Sequence, residues 1–181
     1  MTTALSQRND NHLLAALAQA MLIQPRATLQ ELAQAVGISK ATLYRFCRTR
    51  EELEERLVSY GAELISAAIK TAGLETKPPL EALRQLNINC LKYNEIAAFL
   101  TFHCGPDYDC DHDGVLTVMD TFFLRGQQLG VFRIDLPAPV LTEIWGSLVF
   151  GLIDAERRGR VAKAGLHDLL EKTLLQGVAA K

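Results

Sequence analysis

The sequence predicts an all-α protein, and two observations lead to this prediction. Apolar residues recur at helical spacing through nearly all of the 181 residues, and no segment alternates apolar and polar residues between turn residues as a strand does. Helix-capping residues, glycines and prolines fall between the apolar stretches, where helices start and stop. We therefore expect eight or nine helices.

The first two helices are predicted from their ends. Asn9 or Asp10, both good N-cap residues, begins the first helix, and Pro25 stops it. Thr28 is the N-cap of a short second helix. Glu31 follows three residues later, which is the spacing of a capping box.

The third and fourth helices follow in the same way. Gly37 stands where the second helix needs a left-handed residue at its end. Ser39 then caps a third helix of about two turns. Thr49 and Glu52 form another capping box, which opens a long fourth helix that Gly73 ends.

The second half of the chain predicts five further helices. A polar loop separates two of them at 104–114, and a connector runs through 130–139, where Pro139 suits the first turn of the next helix. The predicted helices cover approximately 80–90, 94–102, 115–129, 139–158 and 166–179.

Composition limits the class of protein. Hydrophobic residues make up 49% and charged residues 22%, too apolar for a disordered chain. No apolar run reaches the ~20 residues of a membrane helix, and no signal segment opens the chain. We expect a cytoplasmic protein with no membrane partner and with its four cysteines reduced. The net charge of −2 excludes a globally basic nucleic-acid binder but permits a local basic patch.

Residues 28–46 have the pattern of a helix-turn-helix. Two helices that cross closely need a small residue and a glycine turn at the elbow, which Ala33 and Gly37 supply. Ile38 and Leu43 are placed to fill the space between the helices.

The charges around this motif are one-sided. Positions 32–50 contain no Asp or Glu but include Lys40, Arg45, Arg48 and Arg50. DNA phosphates need such a patch, and Ser39 adds a neutral donor. The alternative is a basic helix face that only meets solvent.

The segment from Thr28 to Leu53 resembles the TetR family of transcriptional regulators, whose pattern is T…IA…AGVS.GTLY.HF.SKEEL. With the first helix, the resemblance covers about 45 N-terminal residues. Gly130–Pro137, GVFRIDLP, is similar to the link that often precedes the family's dimerising helices. The resemblance implies a three-helix, homeodomain-like head at 1–49 and a helical ligand-binding and dimerisation body at 50–181, joined by the fourth helix.

The resemblance also implies which residues meet DNA. Thr42 and Tyr44 match positions that touch bases or backbone, and Arg50 replaces a phosphate-contacting lysine. The sequence departs from the family at Ala41, at Phe46-Cys47 and in the linker 23–27. The expected DNA-binding residues are Thr28, Ser39, Lys40, Ala41, Thr42, Tyr44, Arg45, Arg48 and Arg50.

The last two predicted helices suggest a homodimer. The helix at 139–158 is apolar around most of its circumference, more than one buried face needs. Gly146, Ser147 and Gly151 permit close approach of a second backbone. The last helix has an apolar stripe, and both together are expected to pair with a second copy. The alternative is that they are core helices of one chain. That stripe consists of Leu166, Leu169, Leu170, Leu174 and Val178.

Aromatic residues in the middle of the body are candidates for an effector site. In the TetR family such helices enclose a small-molecule pocket, which implies a small apolar or aromatic effector here. The alternative is ordinary core packing. The candidates are Tyr93, Phe99, Phe102, His103, Met119, Phe122, Phe123 and Trp145.

An acidic loop in the second half of the chain has some features of a metal site. From Asp109 to Asp120 it has the spacing of an EF-hand, but the twelfth residue is aspartate, one methylene short of the usual glutamate. Histidines and cysteines nearby raise zinc as an alternative. We expect no metal and no cofactor, and a solvated loop over Asp107–Asp120. Those histidines and cysteines are His103, Cys104, Cys110 and His112.

These patterns together predict a regulator rather than an enzyme, because the sequence has no nucleophile paired with a base and no glycine-rich phosphate loop. The resemblance implies a repressor released from a palindromic double-stranded DNA operator by a small molecule. Two alternatives stay open: a metal- or redox-responsive regulator on the same scaffold, and a helical interaction protein without DNA binding.

Overall fold

The computed structural model describes residues 2–103 and 114–178, with side chains from 10 to 100 and from 114 to 177. Within these ranges the chain forms nine α-helices, which confirms the all-α prediction. The helices are α1 (Thr2–Ile23), α2 (Leu29–Ala35), α3 (Lys40–Phe46), α4 (Arg50–Ala72), α5 (Pro79–Leu91), α6 (Asn94–His103), α7 (Val115–Gln128), α8 (Ala138–Arg157) and α9 (Leu166–Val178).

The predicted start of the first helix is wrong. Helix α1 begins at Thr2, so Asn9 and Asp10 lie inside it. No glycine or proline precedes them to stop a helix from extending. At the other end, α1 stops at Ile23, before Pro25, as predicted.

The start of α4 uses a modified capping box. The Thr49 hydroxyl oxygen accepts from the Glu52 N–H at 3.1 Å, as predicted. The Glu52 carboxylate, however, accepts from the Arg48 N–H at 2.8 Å rather than from Thr49. Both bonds stabilise the turn between α3 and α4. Gly73 ends α4 in the left-handed region, at φ 75°.

The chain divides into two compact units. In the described ranges, the first unit contains α1–α3, α4 as far as Glu63, and the chain from Glu95 in α6. Gly61 is buried there, since a Cβ would lie 2.6 Å from Leu100. The predicted division into a DNA-binding head at 1–49 and a ligand-binding and dimerisation body at 50–181 stays a prediction. The fully buried leucines of this unit are Leu17, Leu32, Leu43, Leu53 and Leu57.

The second unit contains the end of α4 from Leu64 together with α5, α7, α8 and α9, packed around an aromatic core. Phe122, Phe123 and Phe132 are buried, with ring centroids 5.3–5.7 Å apart. The connector that carries Phe132 is held by the Gln127 amide, which donates to the Arg133 carbonyl at 2.7 Å. Three packed rings of this kind make a rigid core.

Helix α8 is apolar but only partly covered by its own chain. Of the described helices it is the one long and apolar enough to cross a membrane, a test that core helices of soluble proteins also pass. Only 33% of its most apolar window is buried. Val140 is 39% exposed, and Ile144 and Leu148 are partly exposed.

Helix α9 uses most of its apolar stripe within the chain. Leu166, Leu170 and Leu174 are buried, while Leu169 is 40% exposed. For these three buried leucines, packing inside the monomer is therefore the correct interpretation, and a second copy is not needed to cover them.

Candidate DNA-binding site

The residues from Thr28 to Phe46 fold as a helix-turn-helix. Ala33 and Leu43 are buried between α2 and α3. Gly37 has φ 74°, and the Ile38 N–H donates to the Ala33 carbonyl at 3.0 Å. This is the glycine-ended helix turn that the spacing predicted.

A complete capping box begins α2. The Thr28 hydroxyl accepts from the Glu31 N–H at 3.3 Å, and the Glu31 carboxylate accepts from the Thr28 N–H at 2.7 Å. The Thr28 hydroxyl also donates to Glu31 at 2.8 Å. These bonds from Thr28, first of all from its backbone N–H, lower the pKa of Glu31. Thr28 thus fixes the entrance to α2.

Helix α3 presents its polar residues on its outer side. Ser39 caps it by accepting from the Thr42 N–H at 3.1 Å, and the two hydroxyls lie 2.8 Å apart. The Lys40 ammonium lies 3.3 Å from the Gln30 amide oxygen and 5.4 Å from the centre of the Tyr44 ring. Seven of the nine predicted DNA-binding residues are solvent-exposed: Thr28, Ser39, Lys40, Ala41, Tyr44, Arg45 and Arg48.

Arg50 differs from the other predicted residues because its guanidinium is engaged inside the unit. Its Nε donates to Glu54 at 2.7 Å. Its Nη1 and Nη2 donate to the carbonyls of Ala27 and Pro25 at 2.6 and 2.8 Å. Sequence spacing alone does not predict these bonds, since 23 and 25 residues separate the partners along the chain.

The departure from the family pattern at Phe46 and Cys47 is accommodated by packing. Cys47 is 1% exposed at the end of α3. Burial, together with the nearby Glu52 charge, raises the pKa of its thiol. The Arg56 guanidinium lies 4.9 Å from the centre of the Phe46 ring. The small, buried Cys47 therefore completes the core of the first unit.

Sequence reasoning missed Arg26 and Gln30 as candidate DNA contacts. Both are exposed beside the predicted set, and Arg26 lies on a cleft with Pro25 and Glu31. A basic residue just before the Thr28 cap is the signal that could have found Arg26.

The predicted effector residues have different surroundings. Met119, Phe122 and Phe123 are buried in the core of the second unit, and Phe99 is buried in the first. Tyr93 is partly exposed, with the Lys92 ammonium 5.6 Å from its ring centre. The side chains of Phe102 and His103 lie outside the described residues.

Trp145 lies beside a buried polar group that sequence reasoning missed. Its indole N–H donates to the Asn87 amide oxygen at 2.9 Å. Asn87 is 0% exposed, and its amide nitrogen has no hydrogen-bond partner among the described residues. A polar residue within the apolar stripe of α5 is the signal that could have found it.

The acidic loop lies outside the described residues except at its end. Asp109, Cys104, Cys110 and His112 are not described, so the prediction of no metal stays a prediction. Asp120, in contrast, accepts from the hydroxyl of buried Thr142 at 2.6 Å. Asp120 lies in α7 and is partly buried, so the prediction of a solvated loop is wrong at this end, where helix packing gives the carboxylate a partner.

The geometry defines the class of protein. A capped helix-turn-helix with an exposed basic and aromatic helix face, on an all-helical chain, is the architecture of a DNA-binding transcriptional regulator.

Comparison with known proteins narrows this class. The chain is 45% identical over 177 residues to the HTH-type transcriptional regulator NfxB of Pseudomonas aeruginosa, covering 94% of this chain and 95% of that protein. Its fold is similar to that of the MbdR regulator from Azoarcus, with a TM-score of 0.74, 16% identity, and 93% and 97% of the two chains covered. No family model matches the chain.

Two further solved structures share the fold. The ketosteroid transcriptional regulator of Mycobacterium tuberculosis has a TM-score of 0.73 at 17% identity, covering 95% of this chain and 96% of that one. The TetR-like regulator LfrR of Mycobacterium smegmatis, solved with proflavine, has a TM-score of 0.67 at 20% identity, covering 98% and 99%. The chain belongs to the TetR family of transcriptional regulators. It is a regulator and not an enzyme.

Proposed function

We propose that the protein is a cytoplasmic repressor that binds a palindromic operator as a homodimer and is released by a small-molecule effector. The observation that carries the proposal is the exposed face of α3. Lys40, Tyr44 and Arg45 are accessible there while Leu43 anchors the helix from behind. Such a face fits the major groove.

The proposed contacts divide into two kinds. Lys40, Ala41, Thr42 and Tyr44 on α3 are assigned to the groove, where base edges are read. Arg45 in the last turn of α3 and Arg48, which follows α3 on the chain, are assigned to phosphate. Ser39 and Thr28 act mainly as caps, since their hydroxyls are bonded locally.

Operator binding is tested by selecting bound duplexes from a random pool and measuring affinity over a salt series. Arg45→Ala is expected to weaken binding to all DNA sequences. It is also expected to lower the salt slope, the slope of log affinity against log salt concentration, by about one. Lys40→Ala is expected to change sequence preference. The matched control is Arg160→Ala, which removes an exposed arginine from the second unit. Failure to enrich any inverted repeat contradicts the proposal.

The homodimer proposal is supported by the outer face of α8. An open groove of predominantly apolar lining runs along it, formed by Val140, Ile144 and Leu148 with Pro139 and Ser147. Exposed apolar surface of this kind is typical of an interface with a partner. In a two-fold dimer, the same face of the second copy covers it.

The effector proposal is supported by the Asn87–Trp145 pair. The unpaired amide N–H of Asn87 is a buried donor that a ligand with a hydrogen-bond acceptor would satisfy. Met119, Phe122 and Phe123 fill the core of the second unit, so a ligand that uses them has to displace packed side chains. We therefore assign the polar anchor to Asn87 and the aromatic surface to Trp145.

The test of this site uses the fact that Trp145 is the single tryptophan of the chain. Compounds that release the protein from the operator are expected to change the fluorescence of Trp145. They are also expected to raise the melting temperature of the protein. Allosteric coupling typically changes an affinity by about 5- to 150-fold, and an effect of this size on operator affinity is expected. Asn87→Leu is expected to abolish the response while leaving operator binding intact. Release of DNA with unchanged fluorescence contradicts the assignment.

The chemistry of two of the four cysteines, Cys47 and Cys90, argues against the alternative of a redox-responsive regulator. Burial raises the pKa of the Cys90 thiol to about 12, and the pKa of Cys47 is also raised. Thiols that stay protonated at neutral pH react slowly with oxidants.

A further inference from the structure

Arg50 is the first residue of α4, and its side chain contacts the connection between α1 and α2 rather than pointing into solvent. Three of its guanidinium N–H groups are used, on Glu54, Ala27 and Pro25. The side chain is 28% exposed, whereas Arg45 and Arg48 are both solvent-exposed. Its charge is also compensated, because the ion pair with Glu54 spans only 2.7 Å.

The two carbonyls bound by Arg50 lie in the connection between α1 and α2. This connection is a short turn in which the Ala27 N–H donates to the Gln24 carbonyl at 3.0 Å. It leads directly into Thr28, the cap of α2. Whatever fixes Pro25 and Ala27 therefore fixes where α2 begins.

The position of α2 in turn sets the position of α3. The Gly37 turn and the Ile38-to-Ala33 bond join the two helices closely. Arg50 thus joins the first turn of α4 to the entrance of the helix-turn-helix, across 23 to 25 residues of sequence.

We infer that Arg50 is a positioning residue, which holds the helix-turn-helix in a fixed orientation on α4, and is not a phosphate contact. This role differs from the phosphate contact that the family resemblance implies for Arg50. The inference rests on the proposed DNA interface, because orientation matters only if α3 meets DNA. Any movement of the first turn of α4 is passed through this residue to α2 and α3.

Lysine cannot replace arginine in this role. A planar guanidinium directs separate N–H groups to separate acceptors, whereas an ammonium is one point charge on a flexible stem. A phosphate contact, in contrast, tolerates lysine, which binds phosphate as a point charge. The Arg50→Lys variant therefore separates the two roles.

The experiment compares Arg50→Ala, Arg50→Lys and Arg48→Ala with the wild-type protein on the selected operator. We expect both Arg50 variants to bind about tenfold more weakly or worse, with the salt slope unchanged. Amide hydrogen exchange at residues 26–32 is expected to become faster in both variants, while the second unit stays unchanged. Arg48→Ala serves as the control for loss of a phosphate contact. Its salt slope is expected to be lowered by about one, while amide hydrogen exchange at residues 26–32 stays unchanged.

Two results would overturn the inference. One is wild-type affinity in Arg50→Lys, and the other is a slope lowered by about one in Arg50→Ala without faster exchange. If Arg48→Ala leaves both affinity and slope unchanged, the assignment of Arg48 to phosphate fails, and if no inverted repeat is selected, the proposed interface itself fails. The exchange result at residues 26–32 then decides the positioning role alone, with unchanged exchange contradicting it.

Discussion

Single polar side chains in the helix-turn-helix perform two separable tasks. Thr28, Glu31 and Ser39 satisfy helix N-termini, and their bonds are local. Tyr44 and Arg45 are exposed on α3. Substitutions in the first group are expected to act through stability, and those in the second through DNA contacts.

The capping carboxylate of α2 makes stability dependent on pH. Hydrogen bonds from Thr28 lower the pKa of Glu31 in the folded protein. The contribution of Glu31 is therefore present above its unfolded pKa and is lost as pH falls through the lower, folded value. We expect Glu31→Gln to reduce the melting temperature at pH 7 and to differ less from wild type below about pH 4. Calorimetric melts across this range test it, and a gap that widens in acid contradicts it.

The partly buried thiol of Cys90, which packs against the core of the second unit, supplies a second test at this scale. Because burial raises the pKa of Cys90 to about 12, native protein at pH 8 is expected to leave this cysteine unmodified by iodoacetamide. Unfolding in guanidinium restores ordinary reactivity and serves as the control. Peptide mass mapping measures each cysteine separately, and rapid native labelling of Cys90 would favour the redox alternative.

At the scale of elements, α7 is joined to the connector by a close contact at Gly126. A Cβ at this position would lie 2.1 Å from the Phe132 ring, which is itself packed between Phe122 and Phe123. Gly126→Ala is therefore expected to destabilise the protein by about 1–3 kcal/mol. Gly177→Ala in α9 is the matched control, with nothing within 4 Å of its Cβ. Denaturant unfolding measures the free energy of unfolding of both variants. Equal stability of the two would contradict the prediction, because it would mean that the Phe132 ring can move to make room for the added Cβ.

At the scale of the whole molecule, substitutions at two leucines, one on α8 and one on α9, test dimer assembly and folding separately. Leu148 is partly exposed on the groove of α8, whereas Leu170 is 0% exposed inside the second unit. Leu148→Glu is expected to give folded monomers, because it places a charge on the proposed dimer face. Leu170→Glu is expected to unfold the second unit.

Sedimentation and circular dichroism distinguish these outcomes. A folded Leu148→Glu monomer should also lose operator affinity, because a single helix-turn-helix contacts one half-site only. Wild-type protein that sediments as a monomer at micromolar concentration would contradict the dimer proposal.

Local chemistry determined much of this protein from the sequence by itself. The caps at Thr28 and Ser39, the left-handed Gly37 and the helical spacing of apolar residues act within a few residues, so their outcome follows from neighbours along the chain. The same locality explains why the helix-turn-helix was predicted with the correct boundaries.

Tertiary structure decided what depends on residues far apart in sequence. Arg50 bonds carbonyls 23 and 25 residues away, and Trp145 bonds Asn87 across 58 residues. Likewise, Leu170 faces its own unit while Leu169 faces outwards, although both belong to one apolar stripe. Periodicity indicates that a residue is apolar and on a face; which neighbour covers that face depends on how the helices pack, and that is set by three-dimensional contacts alone.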